Sequence, residues 1–135
     1  MTMQFTQETS AGRYSIRSYR PGEISVLRTE DAGVETTHET LTHSLILTPT
    51  HLIRDWPPQQ FDELTAMHFD IFDQLRPEVL LLGCGARQRF LSADLRQLLA
   101  QRGINVELMN TGAACRTYNI LLGDERNVAA ALLMI

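Results

Sequence analysis

The sequence predicts an α/β fold, and three observations carry that prediction. Residues from Glu78 onward alternate apolar strand-like runs with helix-like runs. The stretch before Trp56 is β-rich. The segment between Pro57 and Pro77 changes from a two-residue period to a helical one. With 135 residues, the chain is expected to form one domain spanning residues 1–135, with 1–12 flexible.

The elements follow in order. Tyr14-Ser15-Ile16-Arg17-Ser18-Tyr19 alternates as a half-buried strand does, Pro21-Gly22 supplies a turn, and Ile24 to Leu27 completes a hairpin. After a polar interval containing Gly33, the runs Leu41 to Thr48 and Thr50 to Trp56 favour strands separated by Pro49. From Pro57-Pro58, the residues Phe61, Leu64, His68, Ile71, Phe72 and Leu75 share one helical face, and that helix must stop before Pro77.

Glu78 to Leu82 reads as a strand covered on both faces and ends at Gly83. Ile104 to Met109 reads as a second, with a helix between them capped by Ser92 and closed by Gly103. Such a β-α-β unit makes its two strands parallel with a right-handed crossover. A helix capped by Thr111 follows, and Asn127 to Ile135 forms the last strand.

Composition excludes several functions. The net charge of -4 and pI near 5.5 give no footprint for a nucleic-acid backbone or an anionic membrane. Met1 to Ala11 has no apolar run of signal-peptide type, and no run approaches the roughly 18 to 20 apolar residues that span a bilayer. Two cysteines, Cys84 and Cys115, are too few for a secreted disulfide scaffold, so a reducing cytoplasm is the expected location.

Ligands of open α/β sheets gather beyond the carboxyl ends of parallel strands. Gly83-Cys84-Gly85 and Thr111-Gly112-Ala113-Ala114-Cys115-Arg116-Thr117-Tyr118-Asn119 are expected there as spatial neighbours. The candidate ligand or partner residues are therefore Gly83, Cys84, Gly85, Arg87, Thr111, Gly112, Cys115, Arg116 and Asn119. Arg87, Arg89 and Arg116 could make a cationic patch for a small anion or a partner carboxylate, or could be solvated or paired with Asp94, Glu107 or Asp124.

A nucleotide loop is not expected. Gln88 stands where a third glycine belongs, and a helix capped by Ser92 begins too late to aim its dipole at the turn. Cys115 near a helix start beside Arg116 could have a lowered thiol pKa, or both cysteines could be small core residues. His38, His43, His51 and His68 show no metal-ligand spacing, so no metal, cofactor or catalytic residue is assigned. The TGAACRTYN run could also be purely structural, with Thr111 capping and Asn119 satisfying buried backbone.

The runs Pro77 to Gly85, Gly103 to Leu121 and Arg126 to Leu132, with Ile24-Ser25-Val26, Ser44 to Pro49 and Trp56, carry a resemblance covering nearly the whole chain. The chain resembles the bacterial branch of a family of unknown function whose eukaryotic relatives include mitochondrial respiratory complex I (NADH dehydrogenase) assembly factor 3. It departs from that pattern at Cys84, where threonine is usual, and at Asp124-Glu125-Arg126, where Glu-Gly-Arg is usual. The resemblance implies a compact three-layer domain, with a central mixed sheet and an added β-layer from the N-terminal half. It also implies a protein partner and a role in assembling a respiratory membrane complex, with no established enzymatic activity or cofactor. The rival expectation is a small anionic-ligand binder or enzyme at the strand ends.

Overall fold

The computed structural model describes residues 12–30 and 36–135, so the expected flexible segment 1–12, apart from Gly12, and the interval around Gly33 lie outside the described residues. Strands β1 (Arg13–Arg20), β2 (Glu23–Thr29) and β3 (Thr36–Leu41) form an antiparallel three-stranded sheet. Five more make a mixed sheet in the order β5 (Leu52–Ile53), β4 (Leu45–Leu47), β8 (Val128–Leu132), β6 (Val79–Gly83), β7 (Val106–Met109). β6 runs parallel to both β7 and β8, as the crossover reading requires, while β4 is antiparallel to β5 and β8.

The mixed sheet is central because its strands are apolar on both faces, and the pleat sends alternate residues to opposite sides. Leu45, Leu47, Val79, Leu81, Val128, Ala130 and Leu132 join one core with the three-stranded sheet and with helix α3 (Thr111–Gly123). Ile46, Leu80, Leu82, Ala129, Ala131 and Leu133 join a second core with Trp56, Phe69, Phe72, Leu91 and Leu99. That second layer holds α1 (Phe72–Leu75) and α2 (Ala93–Gln101). Ser92 caps α2 by accepting the Leu95 N–H.

Several boundaries differ from the sequence expectation, beginning with the run Thr50 to Trp56, which is strand only over Leu52–Ile53. The long helix after Pro58 is instead two 3-10 turns, Phe61–Glu63 and Ala66–Phe69, followed by the short α1. Local side-chain bonds compete with the helical ladder here. The Thr65 N–H donates to His68 Nδ1 at 3.0 Å, and the Trp56 indole N–H takes the His68 carbonyl at 3.0 Å.

The run Leu41 to Thr48 is broken at residues 42–44, with Leu41 ending β3 and Leu45 opening β4. Thr36–Leu41 forms a strand although its residues are mostly polar and carry no apolar alternation. Thr111 is the first helical residue, not the cap; Asn110 caps α3 by accepting the Ala113 N–H at 2.8 Å.

Candidate functional site

Gly83 pairs with Met109 at the carboxyl ends of β6 and β7, so the two turns leave the sheet side by side. Thr111 welds them together. It is fully buried, and its Oγ1 accepts the Gly85 N–H at 2.9 Å while donating to the Leu133 carbonyl at 2.6 Å. Its own N–H donates to the Gly85 carbonyl at 2.9 Å, and the Cys84 N–H donates to the Met109 carbonyl at 2.8 Å.

This packing sets the need for glycine. A Cβ on Gly83 would lie 2.9 Å from Thr111 Oγ1 and 3.0 Å from Thr111 Cα, leaving no room for a side chain. Gly85 has φ +100°, a conformation that L side chains rarely adopt. The loop is therefore a tight turn locked by a buried threonine. The Cys84 and Gly85 N–H groups that would have to cradle a phosphate are bonded within the protein.

Both cysteines are buried free thiols. Burial pushes the Cys115 thiol up to about 12, outweighing the opposing pull of Arg116. Cys84 is also raised by burial, with its Sγ directed at the Leu82 and Arg89 carbonyls, 3.6 and 3.8 Å away. Of the two readings offered by sequence, lowered-pKa thiolate or core residue, the geometry matches the second. Among the described residues, no His, Cys, Asp or Glu cluster is arranged to hold a metal.

The second half of the TGAACRTYN run grips β1. Asn119 works as a surrogate strand: its Oδ1 accepts the Ile16 N–H at 2.9 Å and its Nδ2 donates to the Ile16 carbonyl at 2.8 Å. The buried Tyr118 hydroxyl donates to the Tyr14 carbonyl at 2.8 Å, and Arg13 reaches the Leu122 carbonyl at 2.9 Å. These contacts lay α3 antiparallel along β1 and occupy backbone groups that an edge strand would otherwise offer to another chain.

One feature of β1 leaves little trace in the sequence. The pairing register jumps between Ile16 and Ser18, leaving Arg17 as a bulge, so that Tyr14, Ile16 and Tyr19 all oppose the same face of β2. Strict alternation would have turned Tyr19 away from α3. Instead its ring lies on Gly112, where a Cβ would come within 2.9 Å of the ring, and its hydroxyl bonds to Arg116. The Arg116 guanidinium carbon sits 5.9 Å from the centre of that ring. The available signal was the switch from even to odd apolar positions within RYSIRSYR.

Arg89 and Arg116 turn to different partners. Arg89 pairs with Asp62 at 2.8 Å and stacks 4.8 Å from the centre of the Phe61 ring, whereas Arg116 engages Tyr19 and Arg87 is exposed. Grooves of about 380, 270 and 390 Å3 occur on the surface. Of the expected site residues, only Asn119 lines one of them, the third, between β1 and the end of α3. No helix among the described residues is long and apolar enough to cross a membrane.

Comparison with known proteins agrees with this architecture. A family model described as "Protein of unknown function (DUF498/DUF598)" matches residues 16–133. The zebrafish NADH dehydrogenase [ubiquinone] 1 alpha subcomplex assembly factor 3 is 29% identical, over 90% of this chain and 77% of its own length. The human protein of that name is 34% identical over 62% of this chain, which spans only 46% of the human protein. A 13 kDa major membrane protein of Francisella tularensis is 29% identical over 67% of this chain and 75% of its own length.

Among solved structures, a Bordetella parapertussis protein superposes with TM-score 0.74 at 32% identity, covering 95% of this chain and all of its own. A Xanthomonas campestris protein gives TM-score 0.74 at 33% identity, covering 98% and 92%. A Bordetella pertussis protein described as an Mth938-like domain gives 0.68 at 28% identity, covering 99% and 92%.

Proposed function

This chain belongs to the DUF498/DUF598 family of proteins of unknown function, and from that premise we propose that it acts through protein contacts, assisting assembly of a respiratory membrane complex of the complex I type. The relatives named as complex I assembly factors supply the direction. The observation that carries the reading is the closed state of the strand-end turns. Thr111 fills the space between Gly83 and Gly85, the loop amides are bonded internally, and both thiols are buried.

Catalysis and tight small-ligand binding need convergent polar groups around an accessible concavity. Here the polar groups of the TGAACRTYN run are spent on holding β1 against α3, while Arg116 remains on the surface. Of the nine candidate residues, Gly83, Cys84, Gly85, Thr111, Cys115 and Asn119 then serve architecture. Arg87 and Arg116, the latter over Tyr19 and Gly112, are exposed, which supports a role for them in partner contact.

The test is deletion of the gene in its native host, followed by native gel electrophoresis of respiratory membranes. Loss of assembled complex, with subassemblies accumulating and recovery on complementation, is the expected result. Unchanged complex levels would overturn the reading.

A further inference from the structure

We infer that the outward seam between β1 and α3 is a docking surface for an acidic polypeptide segment carrying one apolar side chain; this rests on the protein-contact reading and names the chemistry of the partner. The first ground is charge segregation. The chain as a whole is net -4, yet β1 contains three arginines and α3 one, and neither element contains a carboxylate. Because α3 lies antiparallel along β1, Arg13 and Arg116 bridge the two elements, and Arg17 follows Ile16, whose backbone Asn119 of α3 holds.

Arg13 is turned to the α3 carboxyl end and Arg20 pairs with Glu23, but Arg17 and Arg116 are exposed and pair with no carboxylate among the described residues. A cationic surface on an acidic protein selects acidic partners and speeds their encounter.

The second ground is how those two cations are presented. The bulge at Arg17 breaks the alternation of β1, leaving both Arg17 and Ser18 exposed while Tyr19 is directed to α3. Tyr19, seated on Gly112, holds the Arg116 guanidinium by its hydroxyl and its ring. A pre-positioned arginine loses less side-chain freedom on binding a carboxylate than a free one.

The third ground is an apolar anchor. Ile120 follows Arg116 by one helical turn, is 65% exposed, and adjoins Asn119, which is bonded to Ile16 next to Arg17. Arginine and tyrosine are enriched at interface centres, and an exposed aliphatic residue one turn from the Tyr19–Arg116 pair adds an apolar contact. A polypeptide supplies carboxylates and an apolar side chain together. Inorganic phosphate supplies negative charge alone, and a phospholipid surface keeps its apolar chains inside the bilayer.

The experiment is an amide NMR titration of the full chain with the synthetic peptide Glu-Glu-Leu-Glu-Glu. Parallel titrations use Gln-Gln-Leu-Gln-Gln, Glu-Glu-Gly-Glu-Glu, inorganic phosphate and phosphatidylglycerol vesicles. Saturable shifts centred on Arg17, Tyr19, Gly112, Arg116 and Ile120 are expected. Binding should weaken about tenfold or more in the doubly substituted Arg17→Glu, Arg116→Glu chain, and severalfold with either control peptide or in Ile120→Asp.

Spectra of the free variants confirm folding, and Arg116→Gln gives a milder second variant expected to fall between. Absence of saturable shifts, shifts centred elsewhere, or binding of vesicles or phosphate in preference to the peptide would each overturn the inference. Loss of assembled complex in the deletion strain alongside a negative titration would leave the protein-contact reading standing and sink only the seam.

Discussion

Replacing Thr111 with valine preserves the branched shape of the side chain and removes its oxygen. The Gly85 N–H and the Leu133 carbonyl, both buried, then lose the partners they hold at 2.9 and 2.6 Å. Leaving a buried polar group unsatisfied costs about 1–3 kcal/mol, so two of them cost roughly 2–6 kcal/mol. That is a large part of the about 5–15 kcal/mol that holds a domain together.

Thr111→Ser keeps the oxygen and loses only a methyl group, about 1 kcal/mol. Arg116→Ala removes an exposed side chain and should change stability by less than about 0.5 kcal/mol. Urea melts at constant m-value rank the three. Exchange of the Gly85 amide should quicken in the valine variant if that protein folds. A Thr111→Val penalty below about 1 kcal/mol, or one no larger than that of Arg116→Ala, would refute the welded-turn account.

Three further outcomes follow from the geometry. Gly83→Ala forces a Cβ against the Thr111 backbone and should cost more than about 2 kcal/mol; Gly112→Ala meets only the half-buried Tyr19 ring, so the fold should persist while the Tyr19–Arg116 contact is displaced, as melts and side-chain NMR will report. Cys115 and Cys84 should resist alkylation at pH 8 until the protein unfolds, since burial keeps both thiols protonated, and rapid native labelling would contradict that.

His68 is held below its ordinary pKa of 6.5 by burial, opposed by Glu63, while its Nδ1 accepts the Thr65 N–H. Its contribution is complete above pH 6.5 and lost as pH falls from there toward the lower folded value, before the lowered carboxylates Glu39 and Glu78 lose theirs below 4.5. Melting temperature should therefore drop between pH 7.5 and pH 5, and less so in His68→Gln.

The hairpin, the parallel pair and the position of the turns were legible because each depends on local pattern. Consecutive leucines before Gly83 need a strand buried on both faces, and Ser92 caps the first apolar stripe after it. The meeting of Gly83–Gly85 with Thr111 follows from parallel strands alone. The role of Thr111 does not. Asn110 and Thr111 both suit a cap, and only the arrival of Leu133 beside the turn makes one the cap and the other a buried tie between three segments.

Tertiary bonds also decided the stretch after Pro58. Its apolar spacing suits a helix, but the Trp56 indole and the Thr65 amide claim His68 from outside the helical ladder. Asn119 is legible as a polar residue on a helix, whereas its service to Ile16 requires knowing that β1 lies across that helix. The Arg17 bulge, which turns Tyr19 toward Arg116, leaves only a break in alternation as its trace.

The most direct test of the central claim is native gel electrophoresis of respiratory membranes from a deletion strain carrying either the wild-type gene or the Arg17→Glu, Arg116→Glu form. Protein contact through the β1/α3 seam predicts that the wild-type gene restores the assembled complex, while the variant does not, although it melts at the wild-type temperature. Full levels of assembled complex in the deletion strain itself would contradict the assembly role, and full rescue by the variant would contradict the seam.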